Sequence, residues 1–207
     1  MASTANIIEK IISMEWEMFS AVNEGQERAN CQEDQQTFEA MRTAQFSAWA
    51  RPVQEAYLCD LEEACRTGRN LVEEKYIHMM KTTEPEQYAA LLYRVSPPSK
   101  AALTLVQEVS DILFKQMQAL FEKYPYISGR GRPLHAKSDG GAVSVETYQI
   151  CELMTYSEQT LTALKKQIAE LEKEGILLAR KILENTVRFY GYTTLEEAEA
   201  AVERIYL

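Results

Sequence analysis

Residues 145–190 read VETYQICELMTYSEQTLTALKKQIAELEKEGILLARKILENTVRFY. Ile150, Leu153, Leu164, Ile168, Leu171, Leu178, Ile182 and Phe189 fall on one stripe when counted at about 100° per residue, the spacing of an amphipathic helix. The spacing predicts one long helix over 145–190. Its middle, LKKQIAELEKEG, invites a coiled-coil reading, but the apolar spacing holds for too few heptads, so one solvated helix of a bundle is the better reading.

The same period recurs to either side. A first helix starts at Thr4 or Asn6 and runs to about Val22, and a second runs from about Gln32 to Ala48, where Pro52 signals a break. A third is expected from Pro52 to Met80. Thr83, Pro85 and Glu86 then form a start signal for a short helix to Tyr93, and Ser99–Lys123 reads as another helix. Thr194 with Glu197 caps a closing helix. Gly and Pro number only eight and six in 207 residues, and Val/Ile/Thr-rich strand runs are absent. The expectation is therefore an all-α, single-domain helical bundle of about six to seven helices.

A hydrophobic fraction of 46% with 26% charged residues suits a globular chain rather than a disordered one. The net charge of −9 argues against a nucleic-acid binder, which needs a basic face, and against adhesion to anionic lipid. No apolar run is long enough to span a membrane, and Glu9, Glu15 and Glu17 do not suit a signal peptide, so a cytoplasmic protein is expected. Cys31, Cys59, Cys65 and Cys151 include no CxxC pair, which points to reduced thiols rather than a zinc or disulfide framework. Cys31 in NCQED precedes a helix, a setting that suits either a reactive thiol or an inert one.

Helix phase marks polar residues where apolar ones are expected, and such residues must find partners or shift their pKa. Ile8, Ile11, Ile12, Met18, Phe19 and Val22 share a face with Glu15 at its centre, while Glu17 points away. Arg42 and Gln45 fall inside the Phe38–Met41–Trp49 stripe, and Lys75 falls inside the third. Arg42 and Glu15 are positioned to form a bidentate pair. Gly68, at the centre of the third stripe, would allow a close approach by backbone or ligand. Asp60 and His78 sit at that stripe's edge, with Glu74 one turn before His78, a poor metal set on its own. Two readings fit Glu15, Arg42, Gln45 and Lys75: a structural ion-pair network fixing helix register, or a polar pocket inside the bundle.

The one long non-helical segment, 124–144, contains ISGRGRPLHAKSDGG, residues 127–141. Arg130 and Arg132 are spaced to project to one side of an extended chain, and Gly129 and Gly131 expose backbone amides. The helix starting near Ser144 aims its N-terminus at the same region. An anion site under a lid is one reading; a solvated basic loop is the other. The segment lacks P-loop spacing.

EWEMF from Glu15, CQ from Cys31, MRTAQFSAW from Met41, GRNLVEEKY from Gly68, GRPL from Gly131 and ETYQICELMTYSEQTL from Glu146 together resemble a bacterial family catalogued as domain of unknown function 4125. The resemblance spans most of the chain and implies a single small helical domain. It carries over no biochemical role. Its motif residues overlap those chosen by helix phase, Glu15, Arg42, Gln45 and Lys75, and add Arg69 and Arg132.

These observations lead to one expectation: a small carboxylate or phosphate bound by Arg42, Gln45, Arg69, Lys75, His78, Arg130 and Arg132. If there is chemistry, Glu15 is its acid or base, burial raising its pKa toward neutrality. No metal is expected, and the residues specify no cofactor. The alternative is a non-catalytic protein whose long C-terminal helix docks a partner or a second copy.

Overall fold

The computed structural model describes residues 4–22, 34–135 and 143–206, and among them there is no β-strand. The all-α expectation holds, with eleven α-helices instead of six or seven among the described residues: α1 (Thr4–Ala21), α2 (Gln35–Ala48), α3 (Arg51–Thr67), α4 (Leu71–Thr83), α5 (Pro85–Leu91), α6 (Lys100–Lys123), α7 (Pro125–Ser128), α8 (Val145–Leu153), α9 (Glu158–Lys173), α10 (Leu178–Phe189) and α11 (Leu195–Tyr206). No helix there is long and apolar enough to cross a membrane.

The extra helices come from turns that periodicity does not register. The long helix expected over 145–190 is three helices. After α8 the chain turns at Met154–Tyr156, and the Ser157 hydroxyl then accepts the Thr160 amide at 3.2 Å to start α9. At the far end of α9, Gly175 takes the left-handed conformation, φ 71°. The Ile176 amide donates to Leu171 O at 2.9 Å and the Gly175 amide to Glu172 O at 3.0 Å, the paired bonds of a Schellman stop.

The helix expected from Pro52 to Met80 divides in the same way. Gly68 has φ 70°, and the Arg69 amide donates to Ala64 O at 2.8 Å. The Asn70 side chain then accepts the Glu73 amide at 2.9 Å and starts α4. Gly68 therefore ends a helix; no atom lies within 4 Å of where its Cβ would stand, so it does not mark a close approach. Thr83 is not a cap either, because Glu84 holds that position and the Thr83 hydroxyl turns back to Met79 O.

Other boundaries follow the sequence. Asp34 caps α2, Ser99 caps α6, Ser144 caps α8, and Thr194 accepts the Glu197 amide at the start of α11. The break before Pro52 is present, bridged by Gln167 of α9, which accepts from Ala50 N and donates to Ala48 O, both at 2.8 Å. Cys31 lies outside the described residues.

The main core joins α1, α2, α3, α6 and α9 around Ile11, Phe46, Leu61, Leu161, Leu164 and Ile168, each nearly or wholly removed from solvent. α9 is thus a bundle helix packed against α3 and α6. α2 lies along α10, and a second, smaller core of Leu120, Tyr124, Ala179, Val187, Leu195 and Ala198 ties α11 to α6 and α10.

Candidate functional site

Glu15 is where helix phase puts it, on the buried face of α1 and only 2% exposed, with Glu17 outside. Arg42 of α2 meets it as expected. Arg42 Nε donates to Glu15 Oε2 at 2.5 Å and Nη2 donates to Oε1, which also accepts from the Tyr57 hydroxyl at 2.6 Å. Arg42 Nη2 further stands 2.8 Å from Glu152 of α8, and Nη1 donates to Gln45 Oε1 at 2.9 Å. The guanidinium lies over the Phe46 ring at 4.7 Å, so one Arg42 organises three helices.

Electrostatics keep this network charged. Burial works against the Arg42 cation, but Glu15 and Glu152 hold its pKa well above the usual arginine value. Burial likewise disfavours the Glu152 carboxylate, yet Arg42 and Lys75 hold its pKa down at about 2. The Tyr57 and Tyr156 phenols are pushed well up, by burial first and then by Glu15 and Glu152 respectively, so both stay protonated donors.

Lys75 of α4 is 7% exposed. Its Nζ donates to the Tyr148 hydroxyl at 2.9 Å and stands 4.7 Å from the centre of the same ring. Among the described residues no carboxylate oxygen lies within 4.0 Å of Nζ. Burial lowers its pKa, but the Tyr148 oxygen and the Glu152 charge raise it above the usual lysine value, so the ammonium is charged. The guanidinium of Arg132 lies 4.6 Å from the Tyr148 ring centre, and Arg132 Nη1 donates to Val143 O at 3.3 Å. Two cations thus share one aromatic ring.

Glu15, Arg42, Gln45, Lys75 and Arg132 all line one cavity of about 410 Å³, together with Phe19, Phe38, Tyr76 and Tyr148. The structure does not bring the other three candidates there. Arg69 forms a bidentate pair with the buried Glu74, at 2.8 and 2.7 Å, beside a separate cavity bounded by Asp60 and Ser157. His78 is buried outside the cavity; burial and Lys81 lower its pKa, and its Nε2 has no partner among the described residues. Arg130 is exposed and lines neither cavity. Asp60 braces the start of α9, accepting from Ser157 N at 3.0 Å and the Thr160 hydroxyl at 2.7 Å, and is not half of a metal pair with His78. Among the described residues no three His, Cys, Asp or Glu side chains stand together as metal ligands.

The 124–144 segment opens with α7, and residues 129–135 fold back on α8 through Val145 N, which donates to Pro133 O at 2.8 Å. That amide and the Thr147 amide, taken by Ser144, are engaged within the protein. Lys137, Gly140 and Gly141 lie outside the described residues.

Sequence reading missed Tyr57, Tyr148, Glu152 and Tyr156. Tyr148, Glu152 and Tyr156 are spaced by four, a polar row on one side of a helical segment, and that was the available signal.

No curated protein and no solved structure matches the chain. Residues 5–200, nearly the whole of it, match the family described as Protein of unknown function (DUF4125), and the chain belongs to that family.

Proposed function

We propose that this protein binds a small organic anion in the cavity between α1, α2, α4 and α8, with Lys75 and Arg132 as its cationic contacts. The observation that carries this reading is Lys75: a charged ammonium, 7% exposed, facing a cavity with the Tyr148 hydroxyl as its hydrogen-bond partner. A buried charge with no carboxylate in direct contact is costly, Glu152 acting on it only from a distance, and an anion beside it offsets that cost. Arg132 on the same ring adds a second fork of donors.

The surrounding groups support the same assignment. Gln45 gives its carbonyl to Arg42, which can only donate, so its amide N–H₂ is turned to other acceptors. The Tyr148 hydroxyl accepts from Lys75 and lines the same cavity. Glu15 is engaged at both oxygens by Arg42 and Tyr57, so its part is to fix Arg42 rather than to move a proton. Cytoplasmic location belongs to the same reading, since small organic anions are abundant there. Self-association through a single long C-terminal helix has less support, because that segment is three packed helices.

The test is a thermal-shift panel of small carboxylates and phosphates on wild type, Lys75→Gln and Arg132→Ala. A ligand at a hundred times its dissociation constant adds about 2.7 kcal/mol, an upward shift of about 5–10 °C for a domain of this size. The shift is expected in wild type and reduced in both variants. A shift of equal size in Lys75→Gln would overturn the assignment.

A further inference from the structure

The anion cavity adjoins a second one of about 340 Å³, and the two share Gln45, Tyr148 and Arg132 as a common wall. Beyond that wall the second chamber is lined mainly by apolar side chains, among them Leu113, Met117, Phe121, Ile182 and Leu183. Its polar side chains are already engaged, and the one carboxylate in its wall, Glu152, is paired with Arg42 and Tyr156. Gln149 donates to Ser110 O and Oγ at 3.1 and 3.2 Å, the Ser128 hydroxyl to Leu120 O at 3.4 Å, and the Thr186 hydroxyl to Ile182 O at 2.9 Å. The chamber offers apolar contact and little else, while the free donors stand at the shared wall and on Lys75.

Charge narrows the head group. Arg42 is matched by Glu15 and Glu152, Lys75 also faces Glu152, and Asp34 at the outer edge is occupied in capping α2. Arg42, Lys75 and Arg132 thus stand against Glu15, Glu152 and Asp34, a balanced set that suits a head group of single negative charge better than a dianion. The volume narrows the body: 340 Å³ is about twice that of an apolar cavity able to take up benzene.

We infer that the ligand is an amphipathic monocarboxylate, its head held by Lys75, Tyr148, Gln45 and Arg132 and its apolar body in the chamber between α6, α8 and α10. This rests on the anion reading above and adds the ligand's second half.

The experiment is calorimetric titration of the full chain with butanoate, hexanoate, octanoate and decanoate, and with the alcohols of the same lengths. Affinity for the acids should rise about fourfold per methylene until the chamber is filled, then level off. The alcohols should bind at least about tenfold more weakly at each length, the loss expected when a charged head is removed. Lys75→Gln should weaken every acid and keep the dependence on length. Leu183→Trp, which narrows the chamber, should move the plateau to shorter acids; should that variant not fold, Leu113→Phe serves the same purpose. A flat length series with measurable binding overturns the amphipathic ligand and leaves the anion reading standing. Alcohols that bind as well as acids overturn the anion reading while supporting an apolar site. No binding of any acid overturns the amphipathic monocarboxylate, and the phosphates of the thermal-shift panel then decide the anion reading.

Discussion

One guanidinium, Arg42, faces two buried carboxylates, and the pair differ in their remaining partners. Glu15 has the bidentate contact and Tyr57; Glu152 has Arg42 Nη2, the nearby Lys75 charge and Tyr156. Glu152 therefore reports on the cavity's cations. Its folded-state pKa of about 2 lies below the ordinary 4.5, so an unfolded chain takes up the proton first. The stabilisation is fully present above about pH 4.5 and is lost as pH falls through about 2. Comparing wild type with Glu152→Gln by urea unfolding from about pH 6 to about pH 2 isolates this residue from the other acids. The stability difference should be on the order of 3 kcal/mol at the upper end and shrink toward zero at the lower. A difference independent of pH would mean that Arg42 and Lys75 do not hold the carboxylate. Glu15 and Arg42 were legible because each sits centrally in a strong apolar stripe. Glu152 and Tyr148 were not, because in a helix of only nine residues most side chains are partly buried and no stripe stands out.

At the scale of the element, helix type was legible throughout and helix number was not. Hydrophobic period records which side of a helix is apolar, and a chain that turns back with its apolar side still facing the core keeps supplying apolar residues in rough phase. The turns are written in other residues: Gly175 followed by Ile176, and Gly68 followed two residues later by the cap Asn70. Both glycines have positive φ and open space where a Cβ would go, so strain alone decides the effect of a side chain. Gly175→Ala should cost about 1 kcal/mol, a fall of about 2–4 °C in Tm, by differential scanning calorimetry. Its effect on the cavity should be negligible, since α9 contributes no residue to the polar chamber. An unchanged Tm would argue that α9 and α10 form one continuous helix in solution, as periodicity alone would have them.

Across the whole molecule the site draws on residues from 15 to 152, yet its outer wall is secured from the C-terminus. Arg132 reaches Tyr148 from the segment that begins with α7, and α7 is held by α11. Glu199 accepts from both Tyr126 N and Ile127 N at 2.9 Å, and Glu196 accepts from the Tyr124 hydroxyl at 2.6 Å. None of these residues lines the polar cavity, and no sequence signal linked the closing helix to it. Glu199→Gln keeps the shape of that side chain but removes its charge and one of its two acceptors. The amides of Tyr126 and Ile127 should then exchange with deuterium faster, by about tenfold for a loss of about 1.4 kcal/mol in local stability. If Arg132 acts on the ligand from an ordered segment, binding must now supply that ordering, and affinity for a carboxylate falls by up to the same factor. Lys75, on α4, keeps its own contacts, so the residual binding should still be lost in Lys75→Gln. Faster exchange with unchanged affinity would remove Arg132 from the site and leave Lys75 as its cation; unchanged exchange would mean that the second core, not Glu199, holds the segment in place.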